Sequence, residues 1–179
     1  MIRIVTLGEL PSEVLDHVAR RVHAAYGMGC EIAGSAELPE KEAWNKDEDA
    51  YDAVKVLAEV DDDTELYADD KLLYVTTEPL TGPPGPMGRG PVNGFAQQGG
   101  GRAVITSAEL GGKGELTVEA GVAKRAAHHI GHLWDLHHCF DPRCAMHPGW
   151  TPGFLQYPEV ALCLFCREKS ERKIKLGQG

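Results

Sequence analysis

The sequence contains no apolar run long enough to cross a membrane, because its longest run, residues 160–166, is far shorter than the roughly 20 residues that a membrane helix needs. Its first residues, MIRIVTLGEL, lack the charged-then-apolar pattern of a signal peptide. There is no excess of basic residues to bind a phosphate backbone, since the net charge is −9. We therefore expect a single cytoplasmic domain over residues 1–179, with reduced thiols and with neither a membrane nor a nucleic-acid partner.

The negative charge is concentrated in residues 37–70, where fourteen acids stand against three lysines and give a local charge of −11. We interpret this segment as a solvated face with a loop around Asp61, Asp62 and Asp63. A cation site at these three aspartates is the alternative hypothesis, although they lack the ordered alternation of a calcium loop.

Strand and helix patterns alternate in the first half of the chain, which predicts an α/β (α+β) fold with a small mixed sheet. The first strand is Ile2–Leu7, and a helix follows from Ser12 because apolar residues then fall four apart until Gly27 stops it. The other predictions are strands at Cys30–Ala36, 72–76 and 102–107, and helices at 49–60, 116–135 and 163–175.

Residues 79–101 contain eight glycines and five prolines, a composition that does not favour regular structure. We predict a long loop here. Because long loops in small domains are often functional, it is either a plain flexible connection or a flap on the substrate side of a site.

Six of the eight histidines and four of the five cysteines lie within residues 128–166. His128 and His132 are four residues apart on the predicted helix, so both imidazoles project from one face and can reach one zinc ion. His138 follows beyond the helix end, where a turn can bring it back as a third ligand. Three protein ligands leave a fourth position open for water, as a catalytic zinc site requires.

Cys139, Cys144, Cys163 and Cys166 have the spacing C-x4-C followed by C-x2-C, which is typical of a closed four-cysteine zinc site. Disulfides are the competing interpretation, but reduced thiols are expected in the cytosol. Because His138 and Cys139 are neighbours, one short extended segment would contribute a ligand to each of the two metals.

The run from His128 to His138 resembles the metzincin signature H-E-x-x-H-x-x-G-x-x-H. With the cysteine run and Met146 between its halves, the combined motif is similar to that of the archaemetzincin family. The resemblance implies a metzincin-like fold, a catalytic zinc held by His128, His132 and His138, and a structural zinc held by the four cysteines. It also implies that Met146 packs beneath the first zinc, and that peptides or proteins are the substrates.

The sequence departs from the family motif at two positions. His129 stands where the family has the glutamate that serves as general base, and a histidine is a neutral base beside a dication. Asp135 stands where the family has a turn glycine, and aspartate tolerates a positive φ better than most residues. The alternative for Asp135 is a metal ligand. His137 and His147 are expected to support the site or lie on the surface, unless His138 points away and one of them replaces it.

These features predict a zinc-metallopeptidase-like protein whose activity is weak or absent because His129 replaces the general base. Its cleft is expected between an N-terminal part, residues 1–135, and a zinc-stapled C-terminal part, residues 136–179. The alternative is a catalytically inactive zinc protein that binds peptides or proteins. A nucleic-acid-binding zinc module is a third hypothesis, which the acidic charge disfavours despite the basic residues of 167–175.

Overall fold

The computed structural model describes residues 1–64, 67, 69–84, 88–110, 117–148, 157 and 159–177. Within these residues two mixed sheets and five helices form an α/β fold. The strands are β1 (Ile2–Leu7), β2 (Cys30–Ala36), β3 (Trp44–Asn45), β4 (Ala50–Asp52), β5 (Lys71–Thr76), β6 (Leu80–Thr81), β7 (Pro91–Val92), β8 (Gly94–Ala96) and β9 (Arg102–Thr106). The helices are α1 (Ser12–Tyr26), α2 (Glu40–Ala43), α3 (Ala53–Glu59), α4 (Val118–Leu133) and α5 (Leu164–Gly177).

The larger sheet has the strand order β2-β1-β5-β9-β8, and the smaller one has the order β3-β4-β6-β7. In the larger sheet the first four strands are parallel, whereas β8 pairs antiparallel with β9 and is the last strand. Because side chains alternate along each strand, one face packs on α1 and α4 and the other packs on α3. The sheet thereby gives α4 a rigid support along one side.

The first three predicted elements are confirmed with their bounds, and the strands at 72–76 and 102–107 shift by one residue at one end. In α1 the residues with helical spacing are buried, and Gly27 ends the helix with a φ of 68° and an N–H that donates to the His23 carbonyl. The last helix runs from Leu164 to Gly177, close to its predicted bounds. No helix of the described residues is long and apolar enough to span a membrane.

The predicted helix at 49–60 is wrong in its first turn. Ala50–Asp52 is a strand, β4, which pairs with β3 and β6. The helix begins only at Ala53 because the Asp52 side chain accepts hydrogen bonds from the amides of Val54 and Lys55, and so acts as its N-cap.

The prediction of a loop throughout residues 79–101 is also wrong. Three short strands, β6, β7 and β8, lie within it. β6 pairs with β7 inside the segment and with β4 outside it, and β8 pairs with β9. Pairing with β4 and β9 supplies the hydrogen bonds that the local composition does not predict. This segment therefore forms a wall beside α4 rather than a free connection.

The histidine helix, α4, begins one residue after Thr117, whose hydroxyl accepts a hydrogen bond from the Ala120 amide. Leu116, where we predicted its start, lies outside the described residues, and the helix ends at Leu133. Gly131 permits a close approach, because a Cβ there would lie 2.2 Å from the Met146 Sδ atom. Nearly the whole of α4 is buried, so its histidines are held rigidly.

Candidate functional site

The structure brings together the three histidines that the motif singled out. His128 and His132 lie on α4, His138 follows the turn after it, and one ring nitrogen from each falls within 4.8 Å of the others. The Nε2 atoms of His128 and His132 are 3.1 Å apart. His128 is buried, whereas His138 is exposed. The cluster therefore lies at the boundary between the core and solvent.

The other ring nitrogens determine which atoms face the centre of this cluster. Nδ1 of His128 donates to the Ala145 carbonyl at 2.8 Å, and Nδ1 of His132 donates to the Leu136 carbonyl at 2.9 Å. Because a carbonyl can only accept, each Nε2 carries a lone pair, and the two lone pairs face each other. Two nitrogen atoms that bind one tetrahedral zinc ion lie about 3.3 Å apart, which is close to the distance between these two Nε2 atoms. A cation therefore fits between them.

The surroundings of the three imidazoles favour the neutral form, which is the form that a metal ligand requires. Burial, with the neighbouring His132 adding to it, lowers the pKa of His128 to about 3. Burial also lowers the pKa of His132 and of His138.

Asp135 shapes the turn that returns His138 to the helix. Its φ is 57°, as expected for a residue in the place of a turn glycine. Its carboxylate accepts from Lys173 Nζ at 2.8 Å and from Gln98 Nε2 at 3.2 Å, and it is not a member of the group of candidate ligands in the described residues. The geometry therefore favours the turn role over the ligand role for Asp135.

A second group consists of Cys139, Cys144, Cys163 and Cys166, whose Sγ atoms all lie within 4.8 Å of one another. All four are free thiols, and the Sγ atoms of Cys139 and Cys163 are 3.8 Å apart. Sulfur ligands of a tetrahedral zinc lie about 3.8 Å apart, so this group fits such an ion. The amides of Met146 and Cys163 donate to the Cys144 Sγ, each at 3.4 Å, as amides do to a thiolate ligand.

One short segment joins the two groups. The Cys139 amide donates to the Met146 carbonyl at 2.8 Å, and the His147 ring contacts the Cys139 carbonyl at 3.1 Å. The same stretch provides the Ala145 carbonyl that orients His128. His147 thus supports the segment that links the sites, and Met146 is buried against Gly131.

His129 lies on α4 next to His128, and its ring is directed toward Asn93 in the wall of the site. Its Nε2–H donates to Asn93 Oδ1 at 3.1 Å, so the lone pair is on Nδ1, which is enclosed and has no partner among the described residues. A Cβ at position 94 would lie 2.6 Å from the His129 Nε2, and Gly94 therefore makes room for the ring. Burial, with the neighbouring His128 and His132 adding to it, lowers the pKa of His129 well below its usual value.

The histidines open into a cavity of about 610 Å³. Among the described residues, the 79–98 segment and the turn after β9 form its walls together with α4, and His138 is the lining residue from the C-terminal part. The lining residues are Pro79, Leu80, Pro91, Val92, Asn93, Gly94, Phe95, Ala96, Gln98, Thr106, Ala108, Glu109, Arg125, His128, His129, His132 and His138. Sequence reasoning missed Asn93, Glu109 and Arg125. Two signals were available: Asn93-Gly94 is a turn dipeptide, and Arg125 lies one helical turn before His129.

Outside both donor groups lie His137, Trp134, Cys30 and the aspartates at 61–63. The His137 side chain is 72% exposed, whereas Trp134 is buried in the core. Cys30 is half-buried in β2. Asp62 accepts a hydrogen bond from the Tyr74 hydroxyl at 2.5 Å. In the described part of the chain, the metal-binding groups include none of Asp61, Asp62 and Asp63.

The chain is similar to known proteins along its full length. It is 29% identical to an archaemetzincin of Pyrococcus furiosus over 189 aligned positions, which cover 100% of this chain and 95% of that protein. A crystal structure of an archaemetzincin from Methanopyrus kandleri superposes with a TM-score of 0.82 at 26% identity, covering 97% of this chain and 94% of that one. No protein-family model matches the chain.

Two further crystal structures support the fold. One is of a zinc-dependent peptidase from Methanocorpusculum labreanum, with a TM-score of 0.77 at 24% identity, covering 95% of this chain and 100% of that one. The other is of an archaemetzincin from Archaeoglobus fulgidus complexed with malonate, with a TM-score of 0.75 at 21% identity, covering 94% of this chain and 99% of that one. The chain is thus an archaemetzincin homologue with the archaemetzincin fold.

Proposed function

We propose that this archaemetzincin homologue is a zinc-dependent metallopeptidase-like protein that binds peptides in the histidine cavity and hydrolyses them slowly or not at all. The observation that carries the proposal is the paired arrangement of its histidines. His128 and His132 turn lone pairs toward a common point at the cavity, while His129, at the position of a general base, is engaged with Asn93.

The two donor groups suit two zinc ions with different roles. His128, His132 and His138 would hold one ion at the cavity, and three protein ligands leave it a position for a further ligand. The chemistry that such an ion supplies is polarisation of a carbonyl and a lowered pKa of a coordinated water. Cys139, Cys144, Cys163 and Cys166 would hold the other as a closed, structural site.

Peptide binding is supported by the wall opposite α4. The last strand of the larger sheet, β8, contributes Gly94, Phe95 and Ala96 to the cavity lining, and an extended peptide can pair with the edge of such a strand. Leu80, Val92 and Phe95 supply apolar surface to the same cavity, which suits the side chains of a peptide.

Proton transfer is the step for which position 129 lacks an accessible base. A general base needs an accessible lone pair within reach of the proton that it removes. His129 presents an N–H to Asn93, and its unprotonated Nδ1 is enclosed. Loss of general-base catalysis costs about 10²- to 10⁴-fold in rate. The same observation favours the second candidate function, a peptide- or protein-binding zinc protein that performs no chemistry.

The experiment compares the zinc-loaded wild type with the variants His129→Glu and His137→Glu in a peptide cleavage assay. His137→Glu is the matched control, because it makes the same change at an exposed position near the site. We expect His129→Glu to raise kcat/KM by at least about tenfold, which is less than the 10²- to 10⁴-fold that a well-placed general base contributes. We expect His137→Glu to leave kcat/KM unchanged. An equal effect of both variants, or no effect of His129→Glu, would contradict the role assigned to position 129.

A further inference from the structure

We propose that Glu109 is a specificity-determining residue that binds a cationic group of the peptide ligand. This inference rests on the proposed function, because it concerns the same cavity. Among its described lining residues two side chains carry a formal charge, Glu109 and Arg125.

The two charged side chains differ in whether a ligand can reach them. The Arg125 side chain is nine-tenths buried, and its Nη1 donates to the carbonyls of Thr106 at 2.5 Å and Ala108 at 3.0 Å. Glu109 is exposed, and within the described part of the chain no hydrogen bond or ion pair occupies its carboxylate. The charge that a ligand can reach in this cavity is therefore negative.

The turn that carries Glu109 is held in place from several directions. The Leu110 amide closes it by donating to the Ser107 carbonyl at 3.1 Å, and the Ala108 amide donates to the Thr106 hydroxyl at 2.8 Å. That hydroxyl in turn donates to the Glu78 carbonyl at 2.6 Å. With Arg125 bonded to the same turn from α4, the position of residue 109 is fixed relative to the histidine helix.

The backbone of Glu109 is in an unusual conformation for its residue type. Its φ is 63°, in the left-handed region that glycine adopts most readily. Strained backbone positions cluster at ligand-binding sites, where the side chain has a use that offsets the strain. Here the side chain is a carboxylate at the cavity, which is the group that a cation requires.

The cation can come from two parts of a peptide. A lysine or arginine side chain and the free α-amino group both present a positive charge with several N–H donors to a carboxylate. Charge-assisted contacts at partly exposed positions are modest, and Arg125 behind the turn opposes part of the attraction. We therefore expect a preference of about two- to fivefold in Kd for a cationic over a neutral ligand.

The test measures binding, so that it does not depend on turnover. The probes are fluorescent peptide hydroxamates, whose hydroxamate binds zinc, with arginine or its neutral isostere citrulline at each position in turn. One set is N-acetylated, and a second set without arginine has a free α-amino group. With the zinc-loaded full chain, we expect one cationic set to bind about two- to fivefold more tightly than its neutral counterpart. The set that does so identifies the source of the cation.

Variants separate this role from a structural one. Glu109→Gln keeps the strained backbone and removes the charge, so it should abolish the preference while the neutral probes bind as before. Glu109→Gly should also abolish the preference but raise the melting temperature, because glycine relieves the strain. Glu78→Gln is the matched control, since its side chain is exposed but does not line the cavity.

Two outcomes would overturn the inference. One is a wild-type protein that binds cationic and neutral probes equally, and the other is a preference that survives Glu109→Gln or is lost equally in Glu78→Gln. In both of these cases the neutral probes still bind, and the proposed function stands. If no probe binds the zinc-loaded wild type, the proposed function and this inference both fail.

Discussion

Replacement of Cys163 by serine is expected to weaken metal binding at the histidines as well as at the cysteines. Cys163 lies in the group of four thiols, with its Sγ atom 3.8 Å from that of Cys139. Cys139 is the neighbour of His138, and its amide donates to the Met146 carbonyl at 2.8 Å. Loss of one thiolate therefore loosens the segment that presents His138.

The same segment also orients His128. The Ala145 carbonyl accepts from the His128 Nδ1 at 2.8 Å, and the Ala145 amide donates to the Ala161 carbonyl at 2.7 Å, near Cys163. Changes to groups that support metal ligands reduce metal affinity by about 10- to 100-fold. We expect a reduction of this size at the histidines, which corresponds to about 1.4 to 2.7 kcal/mol.

Cobalt(II) titration distinguishes the two sites, because thiolate ligands give charge-transfer absorption and histidine ligands do not. Competition with a chelator then gives a Kd for each site in the wild type and in Cys163→Ser. Cys30→Ser is the matched control, since Cys30 lies in β2 outside both groups. An unchanged Kd at the histidines in Cys163→Ser, with the cysteine site lost, would refute the coupling.

Two further predictions concern stability and are checked by urea unfolding. Gly131→Ala should lower the free energy of unfolding by about 1 to 3 kcal/mol, because its Cβ would lie 2.2 Å from Met146 Sδ and 2.8 Å from Tyr26 Oη. A variant as stable as the wild type, or more stable, would contradict this, since Met146 would then move aside without cost. Asp70→Asn should cost about 1 to 3 kcal/mol at pH 7, because Asp70 accepts from the Met1 amino group and Arg3 Nε. Burial alone would raise the pKa of Asp70, but these hydrogen bonds hold it below its usual value. Its contribution is therefore present above about pH 4 and lost as the pH falls through the lowered pKa, so wild type and variant should converge in acid; a constant difference down to pH 2 would contradict this.

The elements that sequence reasoning predicted well are those with a local pattern of sufficient length. In α1 the apolar residues Val14, Val18 and Val22 are four apart and all buried, and Gly27 ends the helix. The histidine and cysteine groups could also be predicted from the sequence, because the geometry of one metal ion determines the spacing of its ligands. Long, regular or chemically constrained segments thus carry their own signal.

The elements that it did not predict depend on partners distant in sequence. Strands of two or three residues, such as Leu80–Thr81 and Gly94–Ala96, are too short to show an alternating pattern, and β4 and β9 determine their pairing. The contact between His129 and Asn93 joins residues 36 positions apart, and no local rule predicts it. The positive φ of Glu109 arises from a turn that is held by Arg125 on another element.

The proposed function depends on a peptide site in the cavity and on the absence of an accessible base at position 129. The most direct measurement follows one peptide with the zinc-loaded wild type, recording its binding by fluorescence anisotropy and its cleavage by mass spectrometry in the same samples. We expect zinc-dependent binding with cleavage that is slow or undetectable over hours. Rapid zinc-dependent turnover of the bound peptide by the wild type would contradict it.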